Sequence, residues 1–297
     1  MAGRGLWGTG GTLEIHHFEY GFITPTLSYA LSVLGSLLGL TCAVRVREAK
    51  TSAQRAWWLM LAAWAIGGTA IWSMHFMAML GFSVVGQQIR YDVALTAASA
   101  VIAVVVVGIG LFIAALGRPS IIKIVFGGIF AGLGVAGMHY TGMAAMRVDA
   151  EIQYDSLRVG LSVAIAVVAA TVALWLVVNV RGALAIIASA LVMGIAVNGM
   201  HFTGMSSMSA HDHPTPGDPS GATASNLLVP IILAVILVAI ALIYAVLAAP
   251  NEEDRAGLAY MDSRLADRAN APAPEPPPSP HGLAARRTNF PSSSRRL

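Results

Sequence analysis

Residues 122–146 read IKIVFGGIFAGLGVAGMHYTGMAAM. One charge, Lys123, stands at the start, and the remainder is almost wholly apolar or glycine around a single histidine, His139. A helix rises 1.5 Å per residue, so about 20 residues cross a hydrocarbon layer roughly 30 Å thick. The run is long enough, and it lacks the period-two alternation of a barrel strand. In lipid the backbone must satisfy its own hydrogen bonds, which leaves the helix.

Six further runs of the same kind lie on either side, at 26–44, 57–80, 92–116, 158–180, 183–208 and 227–249. None carries Asp, Glu, Lys or Arg in its central part. The expected fold is therefore all-α, a polytopic membrane bundle of seven transmembrane helices. Composition agrees: 56% of the 297 residues are hydrophobic and 11% charged, against roughly a quarter charged in soluble domains. The net charge of +3 does not point to nucleic acid, because the basic residues flank the apolar runs, where they set topology. With the N-terminus outside, Arg45, Arg47, Lys50, Arg55, Arg118, Lys123 and Arg181 fall inside. Only Arg90, Arg147 and Arg158, with Arg4 of the leading arm, then fall outside. That imbalance predicts N-out, C-in.

Three parts follow: an outer N-terminal arm (1–25), a seven-helix membrane domain (26–249) and a cytoplasmic tail (250–297). The tail, with its APAPEPPPSP stretch, reads as disordered, and no catalytic or output domain is expected in it. Residues 1–20 lack a basic start followed by an apolar stretch, so the first helix is expected to act as its own insertion signal. The single cysteine, Cys42, excludes an intrachain disulfide and reads as a small buried hydrophobe. Gly35/Gly39 and Gly128/Gly132 are small-xxx-small pairs suited to close helix approach. Trp57 and Trp58 suit the inner interface, Trp64 and Trp72 read as packing residues, and Asn198 as an interhelical hydrogen-bonder.

Three segments repeat: Ser73-Met74-His75-Phe76-Met77-Ala78-Met79, Gly137-Met138-His139-Tyr140-Thr141-Gly142-Met143 and Gly199-Met200-His201-Phe202-Thr203-Gly204-Met205. Each closes the second helix of a pair, so the architecture is three two-helix repeats plus a seventh helix. All three motifs share one depth near the outer surface. On a helix, i and i+4 share a face, which pairs His75 with Met79, His139 with Met143 and His201 with Met205. Met146 and Met208 extend that face at i+7, while Met74, Met138 and Met200 point toward a neighbouring helix and are additional candidates. Imidazole with thioether suits copper, above all copper(I); zinc favours Cys, His and carboxylate, and no carboxylate lies near the motifs. Thr141 and Thr203 stand where a hydroxyl could orient a ring. His16, His17, His211 and His213, all outside, are weaker candidates for passing a metal inward.

The pattern resembles the MHYT family of bacterial integral membrane proteins. The second copy spells Met-His-Tyr-Thr, the third Met-His-Phe-Thr and the first Met-His-Phe-Met, and the resemblance covers residues 20–250. It implies a sensory module of the bacterial plasma membrane, proposed to bind copper through the motif's Met and His and to respond to oxygen, carbon monoxide or nitric oxide. Many members join the module to cyclic-di-GMP synthesis or breakdown domains.

The leading expectation is thus a copper-dependent membrane sensor, with the lipid bilayer, a diatomic gas and a cytoplasmic signalling protein as its partners. Two other functions compete: a metal-ion transporter or metal-handling membrane protein, and a haem-binding membrane redox protein with axial histidines. The bland reading makes the histidines interhelical hydrogen-bonders inherited by duplication. Enzymatic chemistry is not indicated and no catalytic residue is assigned, because the spans offer no acidic residue for general acid–base work. A retinal Schiff base is excluded because residues 227–249 hold no lysine.

Overall fold

A computed structural model describes residues 11–115, 117–118, 120–212, 219–248 and 252–269. Seven of its helices are long and apolar enough to cross a membrane: α1 Ile23–Glu48, α2 Ser52–Met79, α3 Val93–Ala115, α4 Ile121–Ala145, α5 Ser156–Asn179, α6 Ala183–Met205 and α7 Ala224–Leu247. Polar residues just outside the apolar runs start them by accepting orphan backbone N–H groups. The Gln54 N–H donates to Thr51 at α2, Leu95 to Asp92 at α3, Arg158 to Asp155 at α5 and Asn226 to Thr223 at α7. At α2 the Gln54 side chain returns a bond to the Thr51 N–H and completes a capping box.

Consecutive spans from α1 to α6 pack against one another, and α6 returns to α1; α7 lies against α1 and α2. The glycine pairs act as read from the sequence. A Cβ on Gly35 would strike the backbone of Ala65 and Ala70 across α1 and α2, and one on Gly132 would strike Val167 across α4 and α5. Asn198 of α6 reaches α1 twice: it accepts from Ser28 Oγ (2.8 Å) and donates to Ser32 Oγ (2.9 Å). Trp72 donates through Nε1 to Ser99 of α3 (3.0 Å) and stacks near Phe76. Trp64, read as a packing residue, is instead half exposed on the bundle's apolar outer surface, where a ring can meet lipid.

Several features depart from the sequence reading. Residues Trp64–Ser73 of α2 widen into a π-helix, with the Ser73 hydroxyl donating to the Gly68 carbonyl (2.8 Å). The outer ends of α4 and α6 stop at Ala145 and Met205, so Met146 and Met208 do not continue their helical faces. Both lie on strands of an outer cap. That cap has β1 (Thr12–Leu13), β2 (Ile15–His16), β3 (Ser83–Val84), β4 (Arg90–Tyr91), β5 (Met146–Arg147), β6 (Glu151–Tyr154), β7 (Met208–His211) and β8 (Ala222–Thr223). The strands pair antiparallel as β1-β7-β6, β2-β3 and β5-β4-β8, tying the N-terminal arm to the outer loops. Two-residue strands are too short to leave a periodic signature.

A second unit begins at Ala249. Within it, Glu252–Ala269 forms helix α8, although the whole tail reads as disordered from its sequence. Its alanine, leucine, glutamate and arginine residues favour helix. The Pro-rich stretch and the terminal arginines lie outside the described residues.

Candidate metal centre

The helices carrying the motifs, α2, α4 and α6, meet at their outer ends and bring His75, His139 and His201 together. These imidazoles are 2%, 0% and 1% exposed. Their ring centroids stand 4.9, 5.0 and 5.1 Å apart, each pair steeply inclined, so three repeats have produced a near-threefold cluster. His75 Nδ1 lies 3.0 Å from His201 Nδ1 and 3.1 Å from His139 Nδ1. Among the described residues, these three form the one group of three or more His, Cys, Asp or Glu side chains whose ligand atoms lie within 4.8 Å of one another.

The cluster is poorly satisfied as a set of hydrogen bonds. A neutral imidazole has one N–H and one lone pair. All three Nε2 atoms are buried without a partner among the described residues, so at least three polar atoms stay unpaired whatever the tautomers. Each such group costs about 1–3 kcal/mol. With the protons on Nε2, the Nδ1 lone pair of His75 lies beside those of His139 and His201, and the three imidazoles offer a donor set for a cation. Two nitrogens bound to one ion at about 2.0 Å stand roughly 2.8–3.3 Å apart at right-angled to tetrahedral geometry, and the observed separations fall in that interval. The residues therefore fit a small metal ion. Through these Nδ1 atoms they do not fit a haem held between two of them: axial nitrogens at the same bond length stand about 4 Å apart across the macrocycle, and these are closer.

The methionines divide into two sets. Met79, Met143 and Met205, one turn beyond the histidines, pack with Met146, Met208, Phe76, Phe82 and Tyr91 in a buried cluster under the cap. Met138 and Met200 belong to the central core of the bundle, and Met74 is fully buried. The threonines do not orient the rings. Thr141 Oγ1 donates to the Gly137 carbonyl and Thr203 Oγ1 to the Gly199 carbonyl, each at 2.7 Å. A helical hydroxyl finds the carbonyl four residues back more readily than a group across the bundle.

The outer histidines stay apart from the cluster. His16 is held by Glu14 (3.1 Å) and Glu19 (3.4 Å), and the hydrogen bond it donates to Glu14 raises its pKa. His17 sits near Phe82, where burial lowers its pKa. His211 lies on β7 with its Nδ1 buried and without a partner among the described residues, and His213 lies outside the described residues. Sequence reasoning missed Gly142 and Gly204, which abut the imidazoles of His75 and His139. The available signal was a glycine three residues after the histidine in the second and third motifs. It also missed the Tyr140 hydroxyl, 2.6 Å from Ser162 Oγ of α5.

Residues 68–127, 132–190 and 194–257 each match the family MHYT, described as "Bacterial signalling protein N terminal repeat". The chain is 36% identical over 240 residues to the bifunctional diguanylate cyclase/cyclic di-GMP phosphodiesterase MucR of Pseudomonas aeruginosa, covering 77% of this chain and 34% of that protein. It is 35% identical over 193 residues to the cyclic di-GMP phosphodiesterase NbdA of the same organism, covering 62% and 24%. Over 172 residues it is 28% identical to the signaling protein YkoW of Bacillus subtilis, covering 52% and 20%. The chain thus spans about a third or less of the length of these curated relatives, and the enzymatic parts of MucR and NbdA lie outside the similarity. No solved structure matches it.

Proposed function

This chain belongs to the MHYT family of bacterial signalling proteins, a multi-pass inner-membrane sensory module, and from that premise we propose that it senses through copper held by His75, His139 and His201. The observation that carries the reading is the convergence of three buried Nδ1 atoms whose Nε2 atoms have no partner among the described residues. Copper held there would supply a redox change or a coordination position for oxygen, carbon monoxide or nitric oxide. Met79, Met143 and Met205 provide thioethers that favour the copper(I) state and, with Phe76 and Tyr91, close the site to water from the cap side.

The three imidazoles come from three different helices, so a change in what they hold alters the spacing of the outer ends of α2, α4 and α6. The shift reaches the inner loops through rigid helices and biases a cytoplasmic signalling protein. By kinship with MucR and NbdA, the output is cyclic di-GMP turnover. Such a device requires two bundle arrangements of differing affinity.

Metal analysis tests the proposal. Detergent-purified protein, reconstituted with copper(I), should retain copper, and a variant with His75, His139 and His201 all replaced by Ala should not. Equal copper in both removes the metal reading.

A further inference from the structure

A metal-ligating histidine is ordinarily aimed by the hydrogen bond its other ring nitrogen donates to a carboxylate, carbonyl or water. Here no described residue accepts from His75, His139 or His201 Nε2, and the threonines bond elsewhere. Something else must hold the rings. A Cβ built on Gly142 would collide with His75 Nε2 and crowd the adjacent ring carbons, and one on Gly204 would collide with His139 Nε2 in the same way. By contrast, Gly137 and Gly199, on the same two helices, have nothing within 4 Å of an added Cβ.

We infer that Gly142 and Gly204 are positioning residues, each the seat for the imidazole of the preceding repeat. His75 of α2 rests on α4, and His139 of α4 rests on α6, so each of the first two imidazoles is seated on the motif helix of the next repeat. Missing side chains hold these two rings: the Nε2 edges of His75 and His139 press on bare helix backbone, which turns their Nδ1 atoms toward the centre. Only a residue without Cβ permits that contact, because a rigid ring against backbone cannot yield as a flexible side chain would. The first repeat carries Ala78 at the equivalent position, where a methyl group is present, so the seat is confined to the second and third repeats. The role assigned to the seats in metal binding rests on the proposed copper site; the steric pairing does not.

A rescue experiment on the metal-free protein separates the two. Gly142→Ala should lower the melting temperature by several degrees or prevent folding, and adding His75→Ala should restore it, whereas adding His139→Ala should not. For Gly204→Ala the pattern should shift by one repeat, with His139→Ala rescuing and His75→Ala failing. Gly137→Ala and Gly199→Ala should melt as the wild type does. In the copper-loaded protein, Gly142→Ala and Gly204→Ala should weaken binding at least tenfold, while Gly137→Ala and Gly199→Ala leave it unchanged. The inference is overturned if Gly142→Ala and Gly204→Ala behave as the wild type, or if either histidine rescues either glycine equally. If the double variants rescue as expected but the wild type holds no copper, the seats stand and only the metal is removed.

Discussion

His75 Nδ1 stands 3.0 Å from His201 Nδ1, although 126 residues separate them in the chain. His75 is also 3.1 Å from His139, so it is the nitrogen shared by both close contacts. Copper(I) bound across this cluster links three helices. At a free concentration 1,000 times the dissociation constant it would stabilise the folded bundle by about 4 kcal/mol. Thermal melts in detergent should show a copper-dependent rise in Tm that His75→Ala abolishes. A rise of the same size in His75→Ala would place the ion elsewhere.

Gly132 presses α4 onto the backbone of Val167. Gly132→Leu should destabilise the bundle by about 3 kcal/mol or more, because a side chain forced between packed backbones separates the helices. Gly160→Leu, where nothing lies within 4 Å of an added Cβ, should be nearly neutral. Denaturant melts of both variants decide it; an equal loss would show that the α4–α5 approach is looser than described.

The outer cap should respond to pH in two opposite windows. The Asp92 carboxylate accepts from the Leu95 N–H and pairs with Arg147, which together depress its pKa. Its contribution is therefore present above the ordinary aspartate value, about 3.9, and is lost as pH falls through the lowered one. His16 is shifted up, chiefly by its hydrogen bond with Glu14. Its contribution is complete below the ordinary histidine value, about 6.5, and disappears as pH rises through the raised one. Hydrogen exchange should thus show β2–β3 loosening on the alkaline side and β4–β5 loosening only in strong acid. Substituting Gln at His16 should flatten the first response, and Asn at Asp92 the second. Unchanged profiles in these variants would mean that neither group holds the cap.

Charge distribution predicts that the cap lies outside the cell. Gln153→Cys on β6 should react with an impermeant thiol reagent in intact cells, and Ser120→Cys should react only after lysis. Native Cys42 is fully buried and should give little background. The reverse pattern would invert the topology.

Much of this was legible in the chain itself. The seven spans, the two-helix repeat, the common level of the three histidines and the close approaches at Gly35 and Gly132 depend on run length, period and residue size. These are local properties that survive without knowledge of neighbours. A heptad or a helical face, however, fixes only which side chains share a side of one helix. It does not fix how three helices rotate against each other.

That rotation, set by packing among residues far apart in sequence, decided the rest. It turned the Nδ1 atoms inward, left Nε2 against the bare backbone of Gly142 and Gly204, and kept the threonine hydroxyls on their own helices. It also sent Met146 and Met208 into strands, because pairing in the cap satisfies backbone groups that a longer helix would have satisfied for itself. The sequence alone determined that three imidazoles reach the same depth; the tertiary contacts determined that they face one another.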